Sequence, residues 1–94
     1  IAAIGSTATT SLVGTEQFGI RITAAGGSGT STSPYNSALF AYAATATTSS
    51  QVANATIGDG ATTTFSVRYI ANIAPVTQAA EYTANVIYIA TANF

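Results

Sequence analysis

Few side chains in this sequence could perform acid–base or nucleophilic chemistry. The chain has no His, Lys or Cys, and its carboxylates are Glu16, Asp59 and Glu81. Ser and Thr are plentiful, but a hydroxyl becomes a nucleophile only when a base lies beside it. Glycoside hydrolysis would need two of the three carboxylates as a pair, and each stands at a predicted turn or strand edge, where a carboxylate is ordinarily solvated. The sequence therefore predicts a protein that is not an enzyme.

Sites for metals, phosphates or cofactors are not indicated either. Transition metals favour His and Cys, and calcium needs several clustered oxygen ligands. The tripeptide Gly58-Asp59-Gly60 is typical of a turn rather than of such a cluster. The Gly/Ser stretch at 26–29 lacks the Lys and the helix that follow a phosphate-binding loop. We expect no metal and no cofactor.

Two features keep a binding role open. The chain has 5 Tyr, which could line a sugar-binding face, although three of them lie on alternating predicted strands, which favours a core with hydroxyls at its rim. A face that includes Tyr35 and Tyr42 is the alternative that we retain. Asn54 begins the glycosylation sequon Asn54-Ala55-Thr56, on a segment that we predict to be a loop or a sheet edge.

The composition limits the partners. Only 5% of the residues are charged, against about 25% in a typical domain, and the net charge is −1. The two arginines, Arg21 and Arg68, cannot form the basic patch that nucleic acid or an anionic membrane surface would need. No apolar run reaches the roughly 18 residues of a membrane-spanning helix. Since so small a charge barely separates the copies, the composition permits close self-association.

Hydrophobic alternation predicts an all-β fold. Residues 17–23 place Phe18, Ile20 and Ile22 on one face of a strand, and residues 62–73 alternate in the same way. Six to eight short strands without a helix are typical of a small antiparallel β-sandwich, immunoglobulin-like or pilin-like. Further extended segments are predicted at 1–4, 8–13, 37–46 and 51–57, with a Gly/Ser-rich loop at 24–34. We divide this single domain into an N-terminal arm, residues 1–13, and the sandwich, residues 14–94.

The last stretch, residues 81–94, is the longest run with strong strand propensity in the chain. It contains no Gly or Pro. One face of the predicted strand would carry Tyr82, Val86 and Tyr88 toward the core. The other face carries Ile87 and Ile89 at its centre, where a solvated face would be polar. We expect another layer of the chain, or a neighbouring copy, to cover these two isoleucines.

The ending AEYTANVIYIATANF and the stretch FSVRYIANIAP resemble the C-terminal ends of Thr/Ala-rich secreted surface proteins of candidate-phylum bacteria. A looser likeness extends to spore-coat-U-like and chaperone–usher pilin domains, which close on a similar Tyr-Thr strand. Upstream residues 14–21 and 42–52 resemble the first group as well. The resemblance implies a secreted β-sandwich with a structural role. This chain departs from the usual phrase where Ile87 and Ile89 replace Thr, which argues against a solvated outer face.

These observations favour a structural subunit of an extracellular filament, pilus-like fibre or cell-surface layer. Copies would join non-covalently by strand addition, with the arm of one copy filling an apolar groove of the next. The partner would be the chain itself, and the alternative function is a surface adhesin or carbohydrate-binding module. The first residue is not Met, which suggests a processed or partial chain. The predicted donor residues are Ile1, Ile4, Leu12 and Val13, and the predicted acceptor residues are Phe65, Val67, Val86, Ile87, Tyr88 and Ile89.

Overall fold

The computed structural model describes residues 1–92 and shows a chain built from strands and irregular segments. Within that range there is no helix, so the all-β prediction is confirmed. Four strands form two separate two-stranded antiparallel sheets, one of β1 with β4 and one of β2 with β3. The strands are β1, Gln17–Gly26; β2, Thr30–Ser31; β3, Ala53–Asn54; and β4, Thr63–Asn72.

The β1–β4 ladder is the main element of the fold. Its register places Ile22 opposite Val67 and Arg21 opposite Arg68. Both strands that alternation predicted are confirmed, and β1 continues past the predicted end to Gly26. It continues because its last residues still pair with the beginning of β4, where Gly26 lies opposite Thr63.

A small core packs against one face of this ladder. Ile20, Ile22, Tyr35 and Ala41 form a buried cluster. The first two project from alternate positions of β1, as period-2 side chains on one face of a strand must. Tyr35 and Ala41 come from the segment between β2 and β3. The half-buried side chains packed around this cluster belong to Tyr42, Ala43, Val52 and Val67.

Three weaker sequence predictions are only partly met. In the predicted strand 37–46, two residues pair singly, Phe40 with Thr9 and Ala41 with Ile20. The predicted strand 51–57 is reduced to the two residues of β3, and the predicted loop 24–34 contains β2. Ala-rich and Ser-rich stretches have weak strand propensity, so their pairing here is limited to single bridges and two-residue strands. Residues 1–92 hold four strands rather than six to eight, and the sandwich stays a prediction.

The prediction of a final strand is wrong for residues 81–92, which we call the C-terminal segment; residues 93 and 94 lie outside the described part. The segment contains no strand, and Val86 is its one residue that is even partly buried. Ile87 is 83% and Ile89 is 77% exposed, so no second layer of this chain covers them. Propensity alone cannot make a strand, because the backbone groups of the segment need a neighbour to pair with.

Gly26 provides a first test of this fold. It ends β1 with φ at +94°, and a Cβ at this position would run into the backbone carbonyl of Thr62. We expect Gly26→Ala to lower the free energy of unfolding by about 1–3 kcal/mol, because a side chain is strained in that conformation. Urea denaturation followed by circular dichroism measures the change. The control is Gly58→Ala, where a Cβ meets nothing within 4 Å; an equal loss in both variants would contradict the prediction.

Candidate assembly surface

One edge of β4 has no backbone partner among the described residues. The backbone of Ile20 bonds to Ala41 in both directions, at 2.9 and 3.0 Å, and the amide of Ile22 donates to the carbonyl of Tyr35. The backbone N–H and C=O groups of the even-numbered residues of β1 therefore point away from β4, and those of the odd-numbered residues point toward it. By the register, the even-numbered residues of β4 face β1. The backbone groups of the odd-numbered residues of β4 face outward and are unpaired within residues 1–92. We call them the open edge, and its residues are Phe65, Val67, Tyr69 and Ala71.

The apolar face of β4 is as poorly covered as its edge. Phe65 is 37% and Tyr69 is 48% exposed, although both lie on the core side of the ladder. An open cleft of about 910 Å³ runs between Phe65, the 49–58 loop and the C-terminal segment. The cleft brings together five of the six predicted acceptor residues: Phe65, Val86, Ile87, Tyr88 and Ile89. The sixth, Val67, packs against the buried cluster.

The C-terminal segment touches β4 through side chains rather than backbone. The hydroxyl of Tyr88 forms a hydrogen bond with that of Tyr69, although both residues are about half exposed. Desolvation of the Tyr88 phenol, with this hydrogen bond and the nearby Tyr69 and Tyr42 hydroxyls, raises the pKa of Tyr88 to about 12. The contact therefore favours the protonated form of the Tyr88 phenol.

This contact predicts an effect of alkaline pH. The pKa of Tyr88 is raised in the folded state, so the contact is fully present below the ordinary value of 10.0 and is lost as pH rises through about 12. We expect Tyr69→Phe to lower the pKa of Tyr88 toward its ordinary value, because it removes the hydrogen-bond partner. Spectrophotometric titration of tyrosinate measures this change. Tyr82→Phe is the control, and a Tyr88 midpoint that is the same in both variants would disprove the contact.

The predicted donor arm lies against its own chain. The amide of Ile4 donates to the carbonyl of Phe18 at 2.9 Å, and the amide of Phe18 donates to the carbonyl of Ala2 at 2.8 Å. Thr9 and Phe40 exchange both backbone hydrogen bonds. The arm thus occupies the beginning of the β1 edge that faces away from β4, at Phe18, while Ala41 and Tyr35 occupy the rest. Among the predicted donor residues, Ile4 is partly buried, whereas Ile1, Leu12 and Val13 are exposed.

Gln17 joins the arm to the ladder. It is the buried polar residue of the described chain. Its Oε1 accepts hydrogen bonds from the amide of Leu12 at 2.8 Å and from Nδ2 of Asn72 at 3.0 Å. Its Nε2 donates to the carbonyl of Thr10 at 3.3 Å. One side chain therefore satisfies groups from the arm and from β4.

We expect Gln17→Ala to loosen the end of the arm. The change strips partners from the amide of Leu12 and the side chain of Asn72, at a cost of about 1–3 kcal/mol. Hydrogen exchange of the Leu12 amide should accelerate by at least about tenfold. Gln51→Ala, at an exposed position, is the control. An unchanged Leu12 exchange rate in Gln17→Ala would show that the side chain does not hold the arm.

The tyrosines retained for sugar binding are engaged within the chain. Tyr35 is 1% exposed; its hydroxyl donates to Oγ of Ser50 at 2.9 Å and accepts from the amide of Ala43 at 3.1 Å. The ring of Tyr42 packs edge-on against Phe18, with 5.1 Å between the ring centroids. Tyr35 is therefore a core tyrosine, whereas Tyr69, Tyr82 and Tyr88 are half exposed. Asn54 is exposed on β3, opposite Thr30.

Glu16, Asp59 and Arg21 each form a hydrogen bond within the described part of the chain. Oε1 of Glu16 accepts a hydrogen bond from Thr77, and Oδ1 of Asp59 accepts one from the amide of Ala61. Residues 1–92 contain no cluster of three or more potential metal-binding acidic, His or Cys side chains. No helix in this range is long and apolar enough to cross a membrane. Arg21 donates to the carbonyl of Ala38 and lies over the ring of Phe40.

The chain exposes more surface, and is more extended, than a compact monomer of its mass and length. The chain exposes 6581 Å², whereas a folded monomer of 9.4 kDa exposes about 5,000 Å². Its radius of gyration is 15.0 Å, against about 12 Å for a compact domain of this length. The exposed surface, the radius of gyration and the open edge could not be predicted from the sequence, because all three depend on which segments fail to pair.

No protein-family model, curated protein or solved structure matches this chain.

Proposed function

We propose that this chain is a structural subunit of an extracellular filament or cell-surface layer, whose copies join non-covalently by strand addition. Copies of the chain are then its principal partner, and residues exposed in the isolated subunit become buried in the assembly. The observation that carries the proposal is the surplus of exposed surface, together with its position at the open edge and along the C-terminal segment.

The size of the surplus fits assembly into a linear array. The chain exposes about 1,500 Å² more than a compact monomer of its mass would. A standard interface buries about 800 Å² on each partner. A subunit in a head-to-tail chain uses two such surfaces, one toward each neighbour, which together amount to about 1,600 Å². The surplus is therefore large enough for two contacts per subunit.

The open edge provides the means of joining. A ten-residue strand offers a template about 34 Å long for another extended chain. Backbone hydrogen bonds along such an edge supply affinity, and the half-exposed Phe65 and Tyr69 supply apolar surface for the incoming strand. The net charge of −1 opposes this contact only weakly.

The adhesin alternative is less well supported. It would use exposed tyrosine rings, yet Tyr35 is buried and Tyr42 packs against Phe18. Tyr69 and Tyr88 are about half exposed, but their hydroxyls form a hydrogen bond with each other. Saturable binding on a glycan array, lost in Tyr42→Ala, would favour the adhesin over the filament.

Analytical ultracentrifugation and negative-stain imaging across a range of concentrations test the proposal. We expect open-ended oligomers that grow with concentration and depend little on salt, since few charges are involved. A chain that stays monomeric at all concentrations, or stops at a dimer, would overturn the proposal. Deleting residues 1–13 tests the separate prediction that the arm is the donor: filaments that persist unchanged would exclude the arm from that role.

A further inference from the structure

The C-terminal segment is a second strand former without a strand partner. Residues 81–92 contain no Gly or Pro and, after Glu81, no charged residue. The segment is rich in β-branched and aromatic residues, which favour strands. Its backbone forms no ladder within the described chain, and its isoleucines face solvent. Residues 1–92 thus contain both an unpaired strand edge and an unpaired strand-forming segment.

A short turn keeps this segment away from the open edge of its own β4. The amide of Thr77 donates to the carbonyl of Ala74 at 3.0 Å, and Oγ1 of Thr77 accepts from the amide of Ala74 at 2.9 Å. The same hydroxyl donates to Oε1 of Glu16 at 2.8 Å. Because Glu16 immediately precedes β1, this hydrogen bond ties the turn to the beginning of β1.

The chain that leaves this turn crosses the apolar face of the sheet. Residues 82–84 line an open cleft of about 550 Å³ together with Ile1, Phe18 and Ala71. Farther along, Tyr88 reaches Tyr69 by its hydroxyl alone. Over this path the segment lies on the face of the ladder, and the backbone groups of Val67 and Tyr69 stay unpaired.

We infer that the open edge of β4 is occupied by the C-terminal segment of a second copy, residues 82–92. Exchange between copies satisfies the unpaired edge and the unpaired segment at once. Because the donor and the acceptor are different surfaces, each copy can give its segment to one neighbour and receive the segment of another, so that the contact propagates head-to-tail. It also buries Ile87 and Ile89 against a neighbour. This inference rests on the proposed function and adds a C-terminal donor to it.

The first experiment blocks the open edge. Val67→Pro removes an outward amide at the centre of β4 and leaves the inward amides that pair with β1 in place. We expect it to raise the concentration needed for assembly by at least about tenfold, whereas Val67→Ala, which keeps the amide, changes it by less than about threefold. Equal effects of the two variants would overturn the inference, because the backbone edge would then carry no contact.

The second experiment removes the donor. A chain ending at Glu81 should remain monomeric, and an added peptide of residues 82–94 should bind to it. Filaments that form unchanged from this shortened chain would overturn the C-terminal donor while leaving the proposed function standing. A full-length chain that never assembles would overturn both, so the two failures are distinguishable.

Spin labels identify the occupant without relying on mutants that could misfold. The chain has no Cys, so Ser66→Cys and Ala90→Cys, both at exposed positions, give single labelling sites. Mixing the two singly labelled chains should give distances below about 20 Å, or four strand spacings. Such a distance seen only in a doubly labelled chain diluted with unlabelled protein would show pairing within one copy. A short distance from Ser66→Cys alone would show β4 pairing with β4. Either result would overturn the inference.

Discussion

Replacing Tyr35 with alanine is expected to lower the free energy of unfolding by about 3–5 kcal/mol, the range for deleting a large buried aromatic side chain. Tyr35 is the largest fully buried side chain of the described chain, at 1% exposure. Its ring belongs to the cluster of Ile20, Ile22 and Ala41. A domain of this size has only a few kcal/mol of net stability, so Tyr35→Ala should be largely unfolded at room temperature.

Tyr35→Phe separates the hydroxyl from the ring. This change keeps the ring but removes the hydrogen bonds to Oγ of Ser50 and to the amide of Ala43. We expect a loss of about 1–2 kcal/mol, because these groups lose a shared partner in a partly buried site. Urea denaturation measures both variants, and Tyr82→Phe, at a half-exposed tyrosine, is the control. A Tyr35→Ala variant as stable as the control would show that the ring does not organise the core.

The two long strands could be predicted from the sequence because their signal is local. Phe18, Ile20 and Ile22 alternate with polar or small residues, and Phe65, Val67 and Tyr69 do the same. Period-2 alternation of branched and aromatic side chains fits one half-buried sheet face, whatever the rest of the chain does. The structure then pairs these two stretches with each other, in one ladder.

The C-terminal segment shows where local signals fail. Its run of strand-favouring residues is longer than that of β1, yet β1 is a strand and residues 81–92 are not. The difference comes from the Ala74–Thr77 turn and from its hydrogen bond to Glu16. Thr77 and Glu16 are 61 positions apart in the chain. No periodicity records such a contact, because propensity describes what a segment can form rather than what lies beside it.

The pairing of the arm with its own chain and the burial of Tyr35 could not be predicted from the sequence for a similar reason. The arm pairs with β1 and with Phe40 through backbone atoms, and backbone bonding carries no side-chain pattern. Tyr35 follows Ser33-Pro34 in a stretch of small polar residues, which predicts a surface loop. Its burial depends on neighbours in three separate segments: Ile22, Ala43 and Ser50. The role of the predicted acceptor residues stays a prediction, and five of the six line one open cleft.

The same chemical change at two isoleucines should separate folding from assembly. Ile22 is 2% exposed and Ile87 is 83% exposed. We expect Ile22→Ala to lower the free energy of unfolding by about 2–5 kcal/mol, because it removes buried methyl groups and leaves a cavity. Ile87→Ala should change the stability of the monomer by less than about 0.5 kcal/mol, as exposed positions do.

Assembly should respond in the opposite order. If Ile87 is buried against a neighbouring copy, truncating it removes about 2 kcal/mol of apolar burial from the contact and raises the concentration needed for assembly by about thirtyfold. Denaturation of dilute monomer and sedimentation of concentrated protein measure the two quantities on one pair of variants. A variant Ile87→Ala that assembles like the parent chain would mean that this isoleucine faces solvent in the filament as well. The exposed apolar face of the segment would then need another explanation than contact between copies.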